Sequence, residues 1–241
     1  MKNELLSKTL AQIVNENHQT ASVFEKYHLD FCCKGKRSLQ NACEEKNIPA
    51  PLVAAEIENA LHQNEASNEF DKLSLTELID HIVSTHHSYA KKELTQIFAY
   101  LQKVSTKHGD RHNELYAIFE TFSSLREELE QHMMKEEIIL FPRIKALEDF
   151  AVKNDQRIMN IQMPIVVMED EHDKAGKLLS EIRNYTDNFT PPADACTTYR
   201  LSFAALHALE TDLHQHIHLE NNILFPKAID LFNIRNEIAM N

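Results

Sequence analysis

The residues able to do chemistry come in two matched sets. His132–Pro142 reads HMMKEEIILFP, and His216–Pro226 reads HIHLENNILFP. Each set places a Glu four residues after a His (Glu136, Glu220) and closes on Leu-Phe-Pro at the same offset. On a helix, i and i+4 lie one above the other on one face. An imidazole nitrogen and a carboxylate stacked this way can share one metal ion or serve two adjacent ions. The echo extends backward: His87 precedes His132 by 45 residues, and His172 precedes His216 by 44. The flanks agree, His87-x-x-Ala90-x-Lys92-x-Leu94 beside His172-x-x-Ala175-x-Lys177-x-Leu179. Two copies of one helical hairpin are therefore expected, each giving a His from its first helix and a His-x-x-x-Glu from its second.

The sum is four His and two Glu. Two metals sharing bridging carboxylates would each receive two nitrogens and two oxygens. An oxo or hydroxo bridge makes five donors and leaves one open position per metal. Mixed imidazole and carboxylate ligation with open positions favours iron or manganese, whereas a closed zinc site would carry thiolates. A lone His on an apolar stripe is ordinarily a hydrogen-bonded core residue; six residues in two matched half-sites are read here as metal ligands. His86 also lies on the apolar stripe of its helix, slightly nearer its centre than His87, and only the repeat alignment favours His87. His214 and His218 are alternatives to His216, which alone has the i+4 relation to Glu220. Glu171, next to His172, is either an acceptor supporting a ligand or a solvated charge, and the second reading is preferred; His81, His108, His112 and His207 are read as surface or supporting residues.

Cys32-Cys33 is the other chemical feature. Adjacent cysteines seldom bond to each other, because the ring they close departs from normal disulfide geometry. Lys34, Lys36 and Arg37, with a helix start at Ser38, are expected to lower a thiol pKa. Such a pair can exchange disulfides, join subunits or hold a metal in transit; the plain alternative is a buried pair in a small core. Cys43 is read as packing, and Cys196 shows no chemistry.

The positioning elements are helices. Only 3 glycines and 7 prolines occur in 241 residues, and Leu, Glu, Lys, Ala and Gln abound. Residues 1–68 form a small helical domain: a stripe of Leu5, Leu6, Leu10, Ile13 and Val14; a short helix capped by Thr20; a turn at Gly35; a helix capped by Ser38; and a helix over Leu52–His62 with Pro51 at its first position. Gln63–Glu69 is the linker, and 69–241 the second domain. Ser74-Leu75-Thr76-Glu77 is a capping box opening a helix to about Lys107. Gly109-Asp110 turns the chain into a second helix, striped Leu115, Ile118, Phe119, Phe122, Leu125, Leu129, His132, Met133, Glu136 and Leu140. A charged carboxylate in that stripe requires a partner, and a metal supplies one. A looser segment, about Ala146–Asn160, leads to a third helix broken by Thr190-Pro191-Pro192; a fourth carries Tyr199, Phe203, Leu206, Leu209, Leu213, His216 and Glu220. Four helices carrying ligands inward describe a bundle with a core metal site.

The formal net charge of −12 argues against nucleic acid or an anionic membrane as partner. No apolar run approaches the ~20 residues that span a bilayer, and the first residues lack a signal-peptide core. Four cysteines without a disulfide framework fit a reducing compartment. A soluble cytoplasmic protein is expected.

The tandem His-x-x-x-Glu…Leu-Phe-Pro hairpins resemble the hemerythrin-like di-iron bundle. Asp30-Phe31-Cys32-Cys33 ahead of them, with His132-Met133-Met134-Lys135-Glu136-Glu137 and Glu171-His172-Asp173, is similar to the iron–sulfur cluster repair family. The resemblance covers essentially the whole chain. It implies an all-α fold, a bundle preceded by a small helical domain, and two non-haem iron ions per chain with an oxo or hydroxo bridge. It places the ligands on His87, His132, Glu136, His172, His216 and Glu220, the two Glu bridging, and a cysteine motif on Cys32 and Cys33 for iron transfer or dimer contact. One His fewer than in oxygen-carrying hemerythrins agrees with a labile centre. Lys34 stands where the family pattern leads one to expect a second glycine. The implied role is repair of iron–sulfur clusters damaged by nitrosative or oxidative stress, by donation of iron, with damaged iron–sulfur proteins as partners and a homodimer as assembly. The alternatives are an NO-reducing di-iron enzyme, or an O₂/NO sensor or iron-storage module, with NO or O₂ as small ligands.

Overall fold

In the computed structural model, residues 2–63, 70–148 and 161–240 are described. They are all-α, with an isolated antiparallel bridge between Thr9 and Ser38. Two compact units are present: Met1–Ile79 with His214–Asn241, and Asp80–Leu213. The linker Gln63–Glu69 and the loop about Ala146–Asn160 fall largely outside the described residues.

The first unit begins with short helices α1 (Lys2–Ser7), α2 (Leu10–Glu16), α3 (Ala21–Lys26), α4 (Leu39–Glu45) and α5 (Ala50–Gln63). Ser38 caps α4, its hydroxyl accepting from the Asn41 amide at 3.2 Å. A capping box at Thr9 opens α2, with Gln12 answering at N3. Thr20 does not cap α3. Its buried hydroxyl instead donates to the Asn17 carbonyl at 2.7 Å, and the Asn17 side chain caps the short turn His18–Thr20. Leu10, Ile13, Val14, Phe24, Phe31, Leu39, Val53 and Ile57 form the core. The same unit takes in the end of helix α11 (Thr197–Leu219) and α12 (Phe225–Met240). There Lys227 Nζ donates to the Asp71 carbonyl at 2.6 Å, and the His214 ring pairs with Glu25 at 2.6 Å.

The second unit carries the bundle. Helix α6 (Leu75–Ile82), whose residues to Ile79 belong to the first unit, starts at the expected capping box: the Glu77 amide donates to Ser74 Oγ at 3.1 Å, and the Ser74 amide to the Glu77 carboxylate at 2.9 Å. It leads into α7 (Ser88–His108), which the turn at Gly109 joins to α8 (Glu114–Lys135). After α9 (Phe141–Glu148) comes α10 (Gln162–Tyr185), packed along α8. Leu94, Ile97 and Leu101 of α7, Ile118, Phe122 and Leu125 of α8, Leu179 and Ile182 of α10, and Tyr199, Phe203, Leu206 and Leu213 of α11 make one core. Burying each large side chain contributes about 1.5–3 kcal/mol. Helix α10 stops before the prolines expected to break it. Thr186 Oγ1 donates to the Ile182 carbonyl at 2.9 Å, and Asp187, Asn188 and Phe189 turn left-handed, with φ of 47°, 56° and 58°. Asp and Asn tolerate that region better than most residues; Phe189 is held there with its ring stacked on His207.

Candidate metal centre

Four of the six expected ligands lie in the second unit, and they converge. His87 and Glu136 are fully buried, and His132 and His172 nearly so. Glu136 stands between two imidazoles: Oε2 is 3.4 Å from His87 Nε2, and Oε1 is 3.3 Å from His132 Nε2. His172 Nε2 lies 2.9 Å from His132 Nε2. His132, Glu136 and His172 each offer a ligand atom within 4.8 Å of the others.

Two further carboxylates decide which nitrogen faces inward. Glu137 Oε1 lies 2.7 Å from His87 Nδ1 and also accepts from Lys91 Nζ at 2.7 Å. Glu171 Oε2 lies 3.0 Å from His132 Nδ1, with Lys135 on its other oxygen. A carboxylate accepts only, so each Nδ1 carries the proton. In the neutral ring Nε2 is then an acceptor: that of His87 faces Glu136, and that of His132 faces Glu136 and His172 Nε2. Lone pairs facing a buried carboxylate repel, unless a cation or a proton sits between them. Donors 3.3–3.4 Å apart, each about 2.1 Å from one ion, subtend roughly 105° there. The donor set fits a metal, and Glu136 presents one oxygen to each of two imidazoles. His132 Nδ1, and then Lys135, hold the Glu171 pKa down at about 2. Burial works against the Glu137 carboxylate, yet bonds from Lys91 and His87 leave its pKa below the usual value.

His132, His172 and His216 sit in regular α-helix, but the helices widen at His87, Glu136 and Glu220. Val83–His87, Glu136–Leu140 and Glu220–Leu224 are each one π turn. The amide of Phe141 bonds back five residues to the Glu136 carbonyl, and that of Phe225 to the Glu220 carbonyl. Leu-Phe-Pro explains two of the three. Pro142 and Pro226 have no N–H, and each ring would clash with the carbonyl four residues earlier, so the helix widens there. The helix therefore continues through Pro142 as α9 instead of ending at it, and through Pro226 as α12. In the first repeat the widened turn lays Phe141 against the His87 ring, with centroids 5.7 Å apart and planes at 23°.

The other two expected ligands, His216 and Glu220, lie in the first unit. Both are buried, and His216 Nε2 is 3.1 Å from Glu220 Oε1. Of the alternatives, His86 turns to Asp212 (2.9 Å) and His214 to Glu25. His218 packs its ring on Phe31 and is pushed down to about pKa 4 by burial. The His81 ring meets His86, His108 Nε2 lies 3.3 Å from Cys196 Sγ, and His112 sits between Glu114 and Asp194. Glu171, expected as a solvated charge, is instead the acceptor that aims His132. Its neighbourhood with Lys135 and His132 is made by helix packing. Glu137 was missed as a contributor for the same reason: nothing in its sequence position names His87, fifty residues away, as its partner.

The thiols also depart from expectation. Cys32 is buried, and its pKa is raised well above the ordinary thiol value: by the bond to Cys33, by burial, and by the Cys33 and Asp30 charges. The basic residues nearby do not reach it: Lys34 and Lys36 are exposed, and Arg37 pairs with Glu45. Asp30 Oδ1 accepts from the Cys33 amide at 2.9 Å and faces Cys32 Sγ at 3.3 Å. Asp30, Cys32 and Cys33 thus form a small donor group of their own.

Two family models match the chain. Residues 78–228 match the hemerythrin HHE cation-binding domain, and residues 6–61 match the ScdA N-terminal domain, a domain of unknown function. Curated relatives extend over nearly the whole length. The iron–sulfur cluster repair protein YtfE of Enterobacter sp. (strain 638) is 38% identical over 221 residues, covering 91% of this chain and 96% of the relative. Proteins of the same name from Escherichia coli O81 (strain ED1a) and Escherichia fergusonii are 38% and 37% identical over 212 residues, each covering 88% of this chain and 91% of the relative.

Proposed function

Since this chain belongs to the hemerythrin HHE cation-binding family, and within it to the iron–sulfur cluster repair proteins of the YtfE type, we propose that it repairs iron–sulfur clusters damaged by nitrosative or oxidative stress by donating iron. The observation that carries this reading is Glu136, buried and divided between His87 and His132, with Glu137 and Glu171 fixing the outer nitrogen of each ring. His87, His132, Glu136, His172, His216 and Glu220 are the proposed ligands of two non-haem irons joined by an oxo or hydroxo bridge. The functional division follows the sequence, a thiol-bearing domain over 1–68 and the metal bundle over 69–241.

Iron is then cargo as much as cofactor. A pair of irons held by His87, His132, Glu136, His172, His216 and Glu220 would supply redox-active metal, with NO or O₂ as candidate small ligands. The protein's own part is positional. Apolar burial keeps water from the ligand carboxylates, and the ligand count leaves each ion short of saturation, which favours release. Asp30, Cys32 and Cys33 offer a second donor group for delivery. The partners are damaged iron–sulfur proteins in the cytoplasm. Among the described residues no helix is long and apolar enough to cross a membrane. A homodimer is carried over from the family resemblance.

Iron-loaded protein is expected to restore activity to a cluster-depleted dehydratase in the presence of a sulfide source, with about two irons per chain before transfer. Failure of the loaded protein where free ferrous iron succeeds would refute donation. Repeated anaerobic conversion of NO to N₂O with an electron donor would replace it with the NO-reducing alternative.

A further inference from the structure

The two repeats part company just after the bridging carboxylates. The first reads Glu136-Glu137-Ile138, and the second Glu220-Asn221-Asn222. Ile138 is exposed. Its counterpart Asn222 reaches the thiol loop, where Nδ2 donates to the Cys32 carbonyl at 3.1 Å and the Phe31 carbonyl at 3.3 Å. Asn221 Nδ2 adds a contact to the same Cys32 carbonyl at 3.4 Å. Asn15 Nδ2 donates to the Asn222 carbonyl at 3.3 Å. Gly35 makes room for the arrangement: a Cβ there would stand 2.3 Å from the Phe31 carbonyl oxygen and 3.2 Å from Asn222 Oδ1. All these residues lie in the first unit, and the two asparagines sit on the π turn that begins with Glu220.

The Cys32 carbonyl belongs to the peptide between the two cysteines. The thiol sulfurs are 3.7 Å apart, and a disulfide needs about 2.05 Å. Adjacent Cα atoms are held at about 3.8 Å by a normal peptide, shorter than the usual Cα separation across a disulfide of about 4.4–6.8 Å. Closing the bond therefore distorts that one peptide, and its carbonyl is the group the asparagines hold.

We propose that Asn221 and Asn222 are positioning residues that couple the redox state of Cys32 and Cys33 to the His216–Glu220 half-site; the inference rests on the di-iron reading above. In the dithiol form the carbonyl is engaged and the π turn is tied to the loop. A hydroperoxide oxidises the pair: two S–H bonds and the O–O bond break, and one S–S bond forms. Two electrons pass to the peroxide, which leaves as an alcohol and water. Half-buried Cys33 is the first sulfur to be reached, and buried Cys32 closes the bond. The carbonyl then leaves the two amides, the turn loosens, and Glu220 holds iron less firmly. The thiols thereby read oxidative stress and the bundle answers by yielding iron.

The test uses the full chain, with ferrous iron loaded anaerobically and the cysteines set as dithiol or disulfide. Iron affinity is read by competition with a ferrous chelator. Wild type is expected to bind about tenfold more weakly as the disulfide. Linkage is reciprocal, so iron should raise the thiol–disulfide potential by the same tenfold, about 30 mV for two electrons. Asn222→Asp, which replaces the donor with an acceptor facing two carbonyls, and the double variant Asn221→Ala with Asn222→Ala should lose both effects. Equal affinity in the two thiol states, or a full difference retained in those variants, overturns the proposal. A metal-free arm separates it from the di-iron reading. Peroxide should close the Asn222→Asp disulfide several-fold faster than that of wild type, and an unchanged rate refutes the restraint whatever the bundle binds. Absence of bound iron in dithiol wild type would instead sink the di-iron reading.

Discussion

Removing Glu137 or Glu171 tests the reasoning most directly, because neither is a proposed ligand. Glu137 receives two charged or polarised donors, His87 Nδ1 and Lys91 Nζ, both at 2.7 Å. Glu171 receives His132 Nδ1 at 3.0 Å and Lys135. The ring bond fixes the tautomer and aims Nε2, and losing such a partner typically lowers metal affinity about 10–100-fold, which is about 1.4–2.7 kcal/mol. The lysines matter less. Lys91 is half exposed, and an exposed ion pair contributes about 0–1 kcal/mol, at most about a fivefold change. Glu137→Ala and Glu171→Ala should therefore lie near the larger loss, and Glu137→Gln and Glu171→Gln, which keep an acceptor oxygen, nearer the smaller. Lys91→Met should bind almost as wild type. Iron affinity by chelator competition gives the order, and nitrogen chemical shifts of the imidazoles give the tautomer. If both alanine variants bind within about threefold of wild type with helicity intact, the carboxylates do not orient the ligands and the argument fails.

Glu136→Gln should have opposite effects on the two forms of the protein. Without metal, removing a buried charge beside two imidazole nitrogens should leave the melting temperature unchanged or raised, since burying charge is costly. With iron, affinity should collapse, and with it the ligand contribution to stability, which for wild type is about 2.7 kcal/mol at a hundredfold excess over Kd. Melting curves with and without iron check both signs. Pro142→Ala restores an amide that can bond four residues back, so a regular α turn competes with the π turn and draws Phe141 off the His87 ring. Circular dichroism should show helicity kept, while iron affinity falls by up to about tenfold. Glu171 also sets an acid limit. Its pKa is lowered from 4.5 to about 2, so its stabilisation is complete above about pH 4.5 and is lost as pH falls toward 2. Glu171→Gln should flatten the pH dependence of stability in that window and lower stability by a constant amount above it.

The helices and their inward faces were legible in the sequence, because a 3.6-residue stripe and a capping box are local patterns. Ser74 with Glu77, and the run from Leu115 to Leu140, each carry their own signal. The ligand candidates were legible because the chain repeats itself, and a lone His87 beside His86 would have been undecided. What the sequence could not carry depends on which helix lies against which. Glu137 meets His87, Glu171 meets His132, and Asn222 meets the Cys32 carbonyl only after separations of 50, 39 and 190 residues have been closed. The same holds for the thiols: neighbouring basic residues in the sequence suggested a lowered thiol pKa, but the bond to Cys33 and burial raised that of Cys32 instead. Leu-Phe-Pro lies between these cases. It was visible in both repeats as a shared motif, but its effect on the helix was not legible there. With packing on either side to hold the chain helical, a missing N–H widens the turn instead of ending it, and that widening sets where the carboxylates stand.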